Sequence, residues 1–236
     1  MRAVRKMLPL YALVICLALY CTGPITDAVT AFSETQAGPG LSTVVLDPGH
    51  GGEDGGAVSP GGVRESILNL SVALRTRDLL RFLGVPVVMT RETEISLHSP
   101  EAATISEKKV SDLKNRVAFV SQIPNSLLVS IHQNMFSQSK YHGAQVFYAK
   151  TAGSQALAEA LQARFSACLD PSNHRQAKPS ERIYLLEKTS CPGVLAECGF
   201  LSNPREEALL QTAAYQKKLA AVLAGTVYCF QLTGNS

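Results

Sequence analysis

Residues 43–52 read Thr-Val-Val-Leu-Asp-Pro-Gly-His-Gly-Gly, and this stretch determines the architecture expected for the chain. Its short apolar, β-branched beginning predicts a buried strand over residues 43–47. A glycine-rich loop that carries His50 follows. The loop lacks the third glycine of the dinucleotide-binding fingerprint, and no Gly-Lys-Ser/Thr follows it, so neither nucleotide motif is present. We therefore expect the glycines to let the backbone approach a bulky ligand beside His50.

Strands and helices alternate outward from this stretch. The predicted strands are residues 43–47, 85–90, 126–132, 144–149, 183–186 and 194–200. The predicted helices are residues 64–83, 108–121, 154–169 and 204–230, and residues 170–181 are predicted to form a polar loop. This alternation is typical of a single α/β domain with a mostly parallel central sheet of about six strands and helices on both faces. Reactive groups in such sheets gather just past the carboxyl ends of the strands.

The composition agrees with one packed domain. Of 236 residues, 46% are hydrophobic and 17% are charged, which supplies a core and excludes a disordered polyelectrolyte. The modest net charge of +3 argues against a nucleic-acid binder with a basic face.

The N-terminus has the pattern of an export signal. Arg2, Arg5 and Lys6 precede a mostly apolar run over residues 7–21, which is short for a stable membrane span. We expect an exported, extracytoplasmic protein that meets the membrane only through this segment, either secreted or anchored by it. The sequence thus divides into a signal peptide or anchor over residues 1–31, a linker over residues 32–42 and a folded domain over residues 43–232.

Four side chains at predicted strand and helix ends can bind a metal or carry a proton. His50, His132 and Glu197 lie at strand ends, and Glu65 begins the first long helix. Glu65 shares one helical stripe with the apolar residues Leu68, Val72, Leu79 and Leu83. A carboxylate that faces a core is costly unless it is paired or bound to metal. Two histidines and one glutamate form a ligand set of catalytic zinc, and a nearby carboxylate such as Glu197 can then move protons.

Each of these residues also has an ordinary structural interpretation. A histidine in a glycine-rich turn often only makes loop hydrogen bonds, and a glutamate in the first turn of a helix often complements the helix dipole. The loop histidines His98, His142 and His174 are predicted to be solvated, with a contact to substrate left open for His142. Cys198 is expected to point into the core because it alternates with Glu197.

Longer stretches of the chain resemble the zinc-dependent N-acetylmuramoyl-L-alanine amidases, which cut the bond between the muramic acid lactyl group and the L-alanine of the peptidoglycan stem peptide. The matching stretches are LDPGHGGEDGGAV (46–58), RESILNLSVAL (64–74), VMTRETE (88–94), DLKNRVAF (112–119), SIHQN (130–134), GAQVFYA (143–149) and PGVLAECGFLSNPREEALL (192–210). They follow the order of the family and cover nearly all of residues 43–230.

The resemblance implies a role for each residue of the constellation. His50, Glu65 and His132 correspond to the Zn²⁺ ligands, and Glu197 corresponds to the catalytic carboxylate. Asn69 matches an asparagine one turn after the glutamate ligand and is expected to orient it.

Two positions depart from the family pattern. Gln133 stands where a small residue is frequent, and Cys198 stands where an apolar residue is usual. Both changes are expected to alter the wall of the cleft without removing the chemistry.

The compact plan is similar to that of the amidases of the sporulation and germination branch. The interval between residues 143 and 195 has no room for the inserted helix that blocks the site of division amidases. The resemblance implies that stem peptides are removed so that muramic δ-lactam forms in spore cortex peptidoglycan, with a polysaccharide deacetylase acting on the product. A vegetative wall amidase, a catalytically silent peptidoglycan-binding or regulatory protein, and a zinc peptidase or deacetylase that cuts another bond are the alternatives.

Overall fold

The structure is a computed structural model that describes residues 40–233. The predicted signal segment and most of the predicted linker lie outside these residues, so their assignment stays a prediction. None of the helices formed within residues 40–233 is both long enough and apolar enough to cross a membrane.

The described residues form one six-stranded sheet and six helices. The strands are β1 (Thr43–Pro48), β2 (Val87–Met89), β3 (Ser126–Asn134), β4 (Gln145–Tyr148), β5 (Lys178–Pro179) and β6 (Gly193–Phe200). The helices are α1 (Glu65–Phe82), α2 (Ile105–Ser121), α3 (Ser154–Cys168), α4 (Tyr184–Lys188), α5 (Pro204–Leu210) and α6 (Ala213–Leu232). The strand order is β2-β1-β3-β6-β4-β5, and only the β4–β6 pair is antiparallel among these strands. The predicted α/β domain with a mostly parallel sheet is confirmed.

Alternate residues of the central strands supply two separate cores. On β1, Val44 and Leu46 belong to the larger apolar cluster, which also contains side chains of α1, α3 and α6. Val45 points the other way and joins the smaller cluster, which includes side chains of α2 and α4. Because a strand buried on both faces has no polar side, β1 reads as a continuous apolar run. The predicted coverage of both faces is therefore confirmed.

One predicted strand is a helix in the structure. Of the predicted residues 183–186, Ile183 is the N-cap and the rest begin the short helix α4, which buries the consecutive side chains of Leu185 and Leu186 in the smaller core. The sixth strand is instead the two-residue segment β5, inside the predicted polar loop, and it pairs with Phe147 and Tyr148. Pro179 is tolerated there because β5 is an edge strand.

Two helix predictions also need correction. The predicted helix over residues 204–230 is two helices, because Thr212 accepts a hydrogen bond from the Tyr215 amide and starts α6 anew. On α1, Glu65, Leu68 and Val72 are buried as predicted, whereas Leu79 is 37% exposed. At this turn of α1, the neighbouring side chain of Leu80 is the buried one.

Asp47 ties β1 to its neighbours through a buried carboxylate, of which 1% is exposed. Its Oδ1 accepts hydrogen bonds from Arg116 Nη1 at 2.5 Å and Thr90 Oγ1 at 2.7 Å. Its Oδ2 accepts one from Ser130 Oγ at 2.7 Å. Burial alone would raise the pKa of this carboxyl, but the Arg116 charge and the two hydroxyl donors outweigh burial and lower the pKa to about 2.

Arg116 extends the same network into the loop after β1. Its Nη1 donates to the Pro48 carbonyl at 3.0 Å, and its Nη2 donates to the His50 carbonyl at 2.7 Å. Its Nε donates to Asp112 Oδ2 at 2.6 Å on the preceding turn of α2. Arg91 Nε donates to the Pro48 carbonyl as well, at 2.9 Å. Two guanidinium groups therefore fix the backbone that leads to His50.

We expect Asp47→Asn to lower the free energy of unfolding by about 3 kcal/mol, because it leaves the buried Arg116 charge with one carboxylate partner instead of two. Urea unfolding at pH 7, followed by far-UV circular dichroism, measures this loss. The exposed pair Arg77–Glu92 supplies the control, since Glu92→Gln should cost less than about 1 kcal/mol.

The same comparison has a defined pH dependence. The folded-state pKa of Asp47 lies below the ordinary value of 3.8, so ionised Asp47 stabilises the fold above about pH 4. That contribution is lost as the pH falls from about 4 towards 2, and the difference between the wild type and Asp47→Asn should shrink over this window. A difference that stays constant down to pH 2 would contradict the assignment.

Candidate functional site

Three of the predicted side chains converge at the carboxyl edge of the sheet. His50 lies two residues after β1, Glu65 is the first residue of α1, and His132 is near the end of β3. Their ligand atoms all lie within 4.8 Å of one another. Parallel β1 and β3 pair in register up to Pro48 and Ile131, so the two histidines emerge at the same edge.

The His50 imidazole is oriented from both sides. Its Nδ1 donates to Asp54 Oδ2 at 2.8 Å, and its Nε2 lies 3.3 Å from Glu65 Oε2. The His50 backbone has a φ of 61°, an uncommon left-handed conformation of the kind found at functional sites. Because Asp54 engages Nδ1, Nε2 is directed towards the centre of the cluster.

Glu65 is buried, with 4% of its side chain exposed, and its carboxylate is held by contacts to both oxygens. Oε1 lies 2.9 Å from His132 Nδ1 and accepts a hydrogen bond from the Gln133 amide at 3.1 Å. Oε2 accepts one from the Ala57 amide at 2.9 Å. Asn69 Nδ2 donates to Oε1 at 3.2 Å from one turn further along α1. The contact expected between Asn69 and Glu65 is therefore present.

Glycine is required at two points of the loop after β1. A Cβ at Gly49 would lie 2.1 Å from ring atoms of His132, which leaves no space for any side chain. A Cβ at Gly56 would lie 2.5 Å from Glu65 Oε2 and 2.7 Å from His50 Cδ2. The backbone thus forms the walls that hold both imidazoles, whose ring centroids are 5.0 Å apart.

The electrostatics of the cluster favour a cation. Burial alone would lower the pKa of His50, but the Asp54 and Glu65 carboxylates raise it to about 10. Burial would raise the pKa of Glu65, yet His132 and His50 keep it well below its usual range. The hydrogen bond from His50 holds the pKa of Asp54 well below its usual range as well, against a smaller effect of burial. Two imidazoles and a buried carboxylate are a nitrogen and oxygen donor set that suits zinc. The residues present therefore fit a divalent metal ion.

Glu197 lies beside this cluster on β6. In the sheet it is the register partner of His132 on β3 and of Gln145 on β4. The β3–β6 register shifts between His132 and Asn134, an irregularity typical of strands next to active sites. Within residues 40–233, Glu197 Oε2 is a buried atom without a hydrogen-bond partner. Burial, added to by the Glu65 charge, raises the pKa of Glu197 to about 7.

The two departures from the family pattern lie on the neighbouring strands β3 and β6, each directly after a residue of the candidate site. Gln133 is 3% exposed and its Nε2 donates to Asn69 Oδ1 at 3.3 Å, so it supports the asparagine that contacts Glu65. Cys198 is 1% exposed and points into the larger core, as expected. Burial raises the pKa of its thiol, which is the opposite of what a nucleophile needs.

Three residues of the site have roles that the sequence pattern did not predict. Asp54 orients His50, while Arg91 and Arg116 hold the carbonyls of the loop. An acidic residue four positions after a candidate ligand in the same loop was the available signal for Asp54.

The loop histidines lie outside the cluster. The predicted exposure is confirmed for His142, which pairs with Asp170 at 2.9 Å, and for His174. His98 is partly solvated: it is half-buried in its loop, and its Nδ1 is hydrogen-bonded to Ser96 Oγ at 2.9 Å.

The chain is similar to known proteins over the whole of this fold. Residues 44–227 match the Amidase_3 family, N-acetylmuramoyl-L-alanine amidase. The germination-specific N-acetylmuramoyl-L-alanine amidase of Bacillus subtilis (strain 168) is 41% identical over 179 residues, which make up 75% of each protein. N-acetylmuramoyl-L-alanine amidase AmiA of Escherichia coli (strain K12) is 28% identical over 235 residues, and the match covers 81% of this chain and 76% of AmiA.

A solved structure agrees with these matches. The CwlD amidase from Clostridioides difficile, in complex with the GerS lipoprotein, superposes with a TM-score of 0.79 and 39% identity. The superposition covers 81% of this chain and 99% of that one. The resemblance seen in the sequence, including that to the germination branch, is confirmed. The chain therefore belongs to the N-acetylmuramoyl-L-alanine amidase family.

Proposed function

We propose that the protein is a zinc-dependent amidase that hydrolyses the bond between the muramic acid lactyl group and the L-alanine of the stem peptide. The observation that carries the proposal is the convergence of the His50, Glu65 and His132 ligand atoms within 4.8 Å, next to Glu197. Membership of the family indicates which bond is cut, and the set of donor atoms indicates a zinc ion.

Each residue has a distinct task in this reaction. His50, Glu65 and His132 hold the zinc, which when bound polarises the lactyl carbonyl and makes water a nucleophile near neutral pH. Glu197 accepts a proton from the attacking water and passes it to the alanine nitrogen as the amide bond breaks. Its pKa of about 7 matches this exchange, since both protonation states are populated near neutral pH.

The remaining residues position this machinery. Asp54 keeps His50 in the tautomer whose Nε2 faces the centre, and Asn69 holds Glu65 from behind. Such outer contacts fix ligand orientation and typically contribute 10–100-fold in metal affinity.

The biological setting is also part of the proposal. The 41% identity to a germination-specific amidase supports removal of stem peptides in spore cortex, with muramic δ-lactam as the end product after a deacetylase has acted. The structure of a related amidase bound to a lipoprotein supports a protein partner for this chain. The proposed location is extracytoplasmic, in the cell wall or the space around the spore cortex, reached through residues 1–31.

We expect Glu197→Gln to retain zinc and to lower the rate of stem-peptide release by about 10²–10⁴-fold, because the amide cannot accept the proton. His50→Ala should lose bound zinc, because it removes one of three ligands. Mass spectrometry of digested peptidoglycan measures the activity, and metal analysis of the purified protein measures the zinc.

Glu92→Gln, on an exposed surface pair, is the matched carboxylate-to-amide control and should keep both zinc and activity. Full activity in Glu197→Gln would contradict the proton transfer. Absence of zinc from the wild type, together with retained peptidoglycan binding, would indicate a silent binding protein instead.

The glycine wall gives a second prediction. Gly49→Ala should displace the His132 imidazole and reduce zinc binding by at least tenfold, because the added methyl overlaps the ring. Gly225→Ala in α6 is the control, since its Cβ meets no atom within 4 Å and alanine favours the helix. Equal zinc affinity in the two variants, measured by competition with a chromogenic chelator, would refute the role of Gly49.

The cortex role is tested in cells. Peptidoglycan of spores that lack this protein should contain no muramic δ-lactam, because the stem peptide must leave before the lactam closes. Muropeptide analysis by liquid chromatography and mass spectrometry measures this. Unchanged lactam in the mutant would overturn the cortex role and leave the amidase activity standing.

A further inference from the structure

The loop that follows β3 presents exposed apolar and aromatic side chains at the catalytic edge. It spans residues 135–142, and residues 135–140 are all exposed. Met135 is 42% exposed and Phe136 is 50% exposed, so two consecutive large apolar side chains lie open to solvent directly after β3. The mechanism described above uses none of these side chains.

The aromatic pair in this loop is held in a fixed arrangement. The rings of Phe136 and Tyr141 meet edge to face, with centroids 4.8 Å apart and planes at 83°. The Phe136 amide donates to Ser202 Oγ at 3.1 Å, and Asn203 Nδ2 donates to the Ser139 carbonyl at 2.9 Å. The loop is thus held at residues 136 and 139, while half of the Phe136 side chain is open to solvent.

The anchors tie the loop to the sheet edge that carries the candidate site. Phe136 follows the metal-binding residue His132 by four positions. Ser202 comes two residues after the end of β6, the strand that carries Glu197. The pair is thus continuous with the edge at which the amide bond is cut.

The chemistry of the loop fits a neutral sugar. One face of a pyranose ring is lined by C–H groups, which pack against the electron-rich face of an aromatic ring, while its hydroxyls seek polar partners. Ser137, Gln138 and Ser139 supply uncharged hydroxyl and amide groups beside the rings. No carboxylate lies in residues 135–142, and Lys140 stacks over Tyr141 at 5.5 Å from the ring centroid.

The opposite side of the site has a different character. The cleft bordered by the loop after β1 and by the start of α2 has a volume of about 530 Å³ and contains Asp54, Arg64, Lys108 and Lys109. Charged walls suit the ionised stem peptide, so the two sides of the site match the two parts of the substrate.

We propose that Phe136, braced by Tyr141, is a platform on which a sugar ring of the glycan strand, adjacent to the muramic acid that bears the stem peptide, stacks while the stem peptide occupies the charged cleft. This inference rests on the proposed function. It makes Phe136 a specificity-determining residue, because it favours polymeric glycan over short muramoyl peptides.

The binding test uses peptide-free glycan strands of alternating N-acetylglucosamine and N-acetylmuramic acid as the probe. With the full-length protein, isothermal titration calorimetry should show that Phe136→Ala weakens binding about three- to tenfold, and that Phe136→Tyr restores it. Phe82→Ala is the control, because Phe82 is 83% exposed at the far end of α1. Unchanged affinity in Phe136→Ala, or no binding by the wild type, would overturn the platform.

A kinetic test separates this proposal from the function on which it rests. Phe136→Ala should raise KM for peptide-bearing glycan strands with kcat unchanged, and should leave both constants unchanged for a monosaccharide muramoyl peptide. Equal losses on the two substrates would contradict the platform. Absence of amidase activity in the wild type would refute the proposed function alone, because the binding test needs no hydrolysis.

Discussion

The buried ion pair between Asp47 and Arg116 is the constraint on which the site depends. It lies at the carboxyl end of β1, where a strand must give way to a loop without exposing the core. A buried charge pair is tolerated only when its remaining donors and acceptors are also satisfied. Arg116 meets this condition by bonding to the carbonyls of Pro48 and His50, so the groups that stabilise the pair also form the loop. The contacts that stabilise the buried ion pair are therefore the same contacts that position His50.

A second level of order follows from the first. Once the loop is fixed, Asp54 and Glu65 surround His50, and the Glu65 carboxylate reaches His132 on the next strand. The cluster contains two carboxylates beside its two imidazoles, and these negative groups favour the binding of a cation. Glu197 stands apart from these contacts, and its pKa is governed by burial more than by any partner. The carboxyls of Glu65 and Glu197 thus have pKa values shifted in opposite directions by two different environments at one sheet edge.

The sequence contained enough information for the architecture and for the principal residues. Long apolar runs and helical stripes predict β1, β3, β6 and α1 because these elements are buried along most of their length. β5 was not predicted because two residues on a sheet edge show no periodicity. α4 was predicted as a strand because five residues are too few to distinguish the helical repeat of 3.6 residues from the strand repeat of two. The supporting contacts were equally inaccessible. Arg116 bonds to backbone carbonyls 66 and 68 positions away, and a carbonyl has no residue identity that a pattern could reveal.

The antiparallel direction of β4 has a consequence for the shape of the catalytic edge. A strand parallel to β3 would have to start at the opposite edge of the sheet, and the chain would need a long crossover to reach it. Because β4 runs against β6, it begins where β3 ends, and Gln145 is the register partner of Glu197. The connection is only ten residues long, from Met135 to Ala144, and it never leaves the edge where the ligands emerge. Reversing one strand thus keeps the connecting segment at the sheet edge that carries the candidate site.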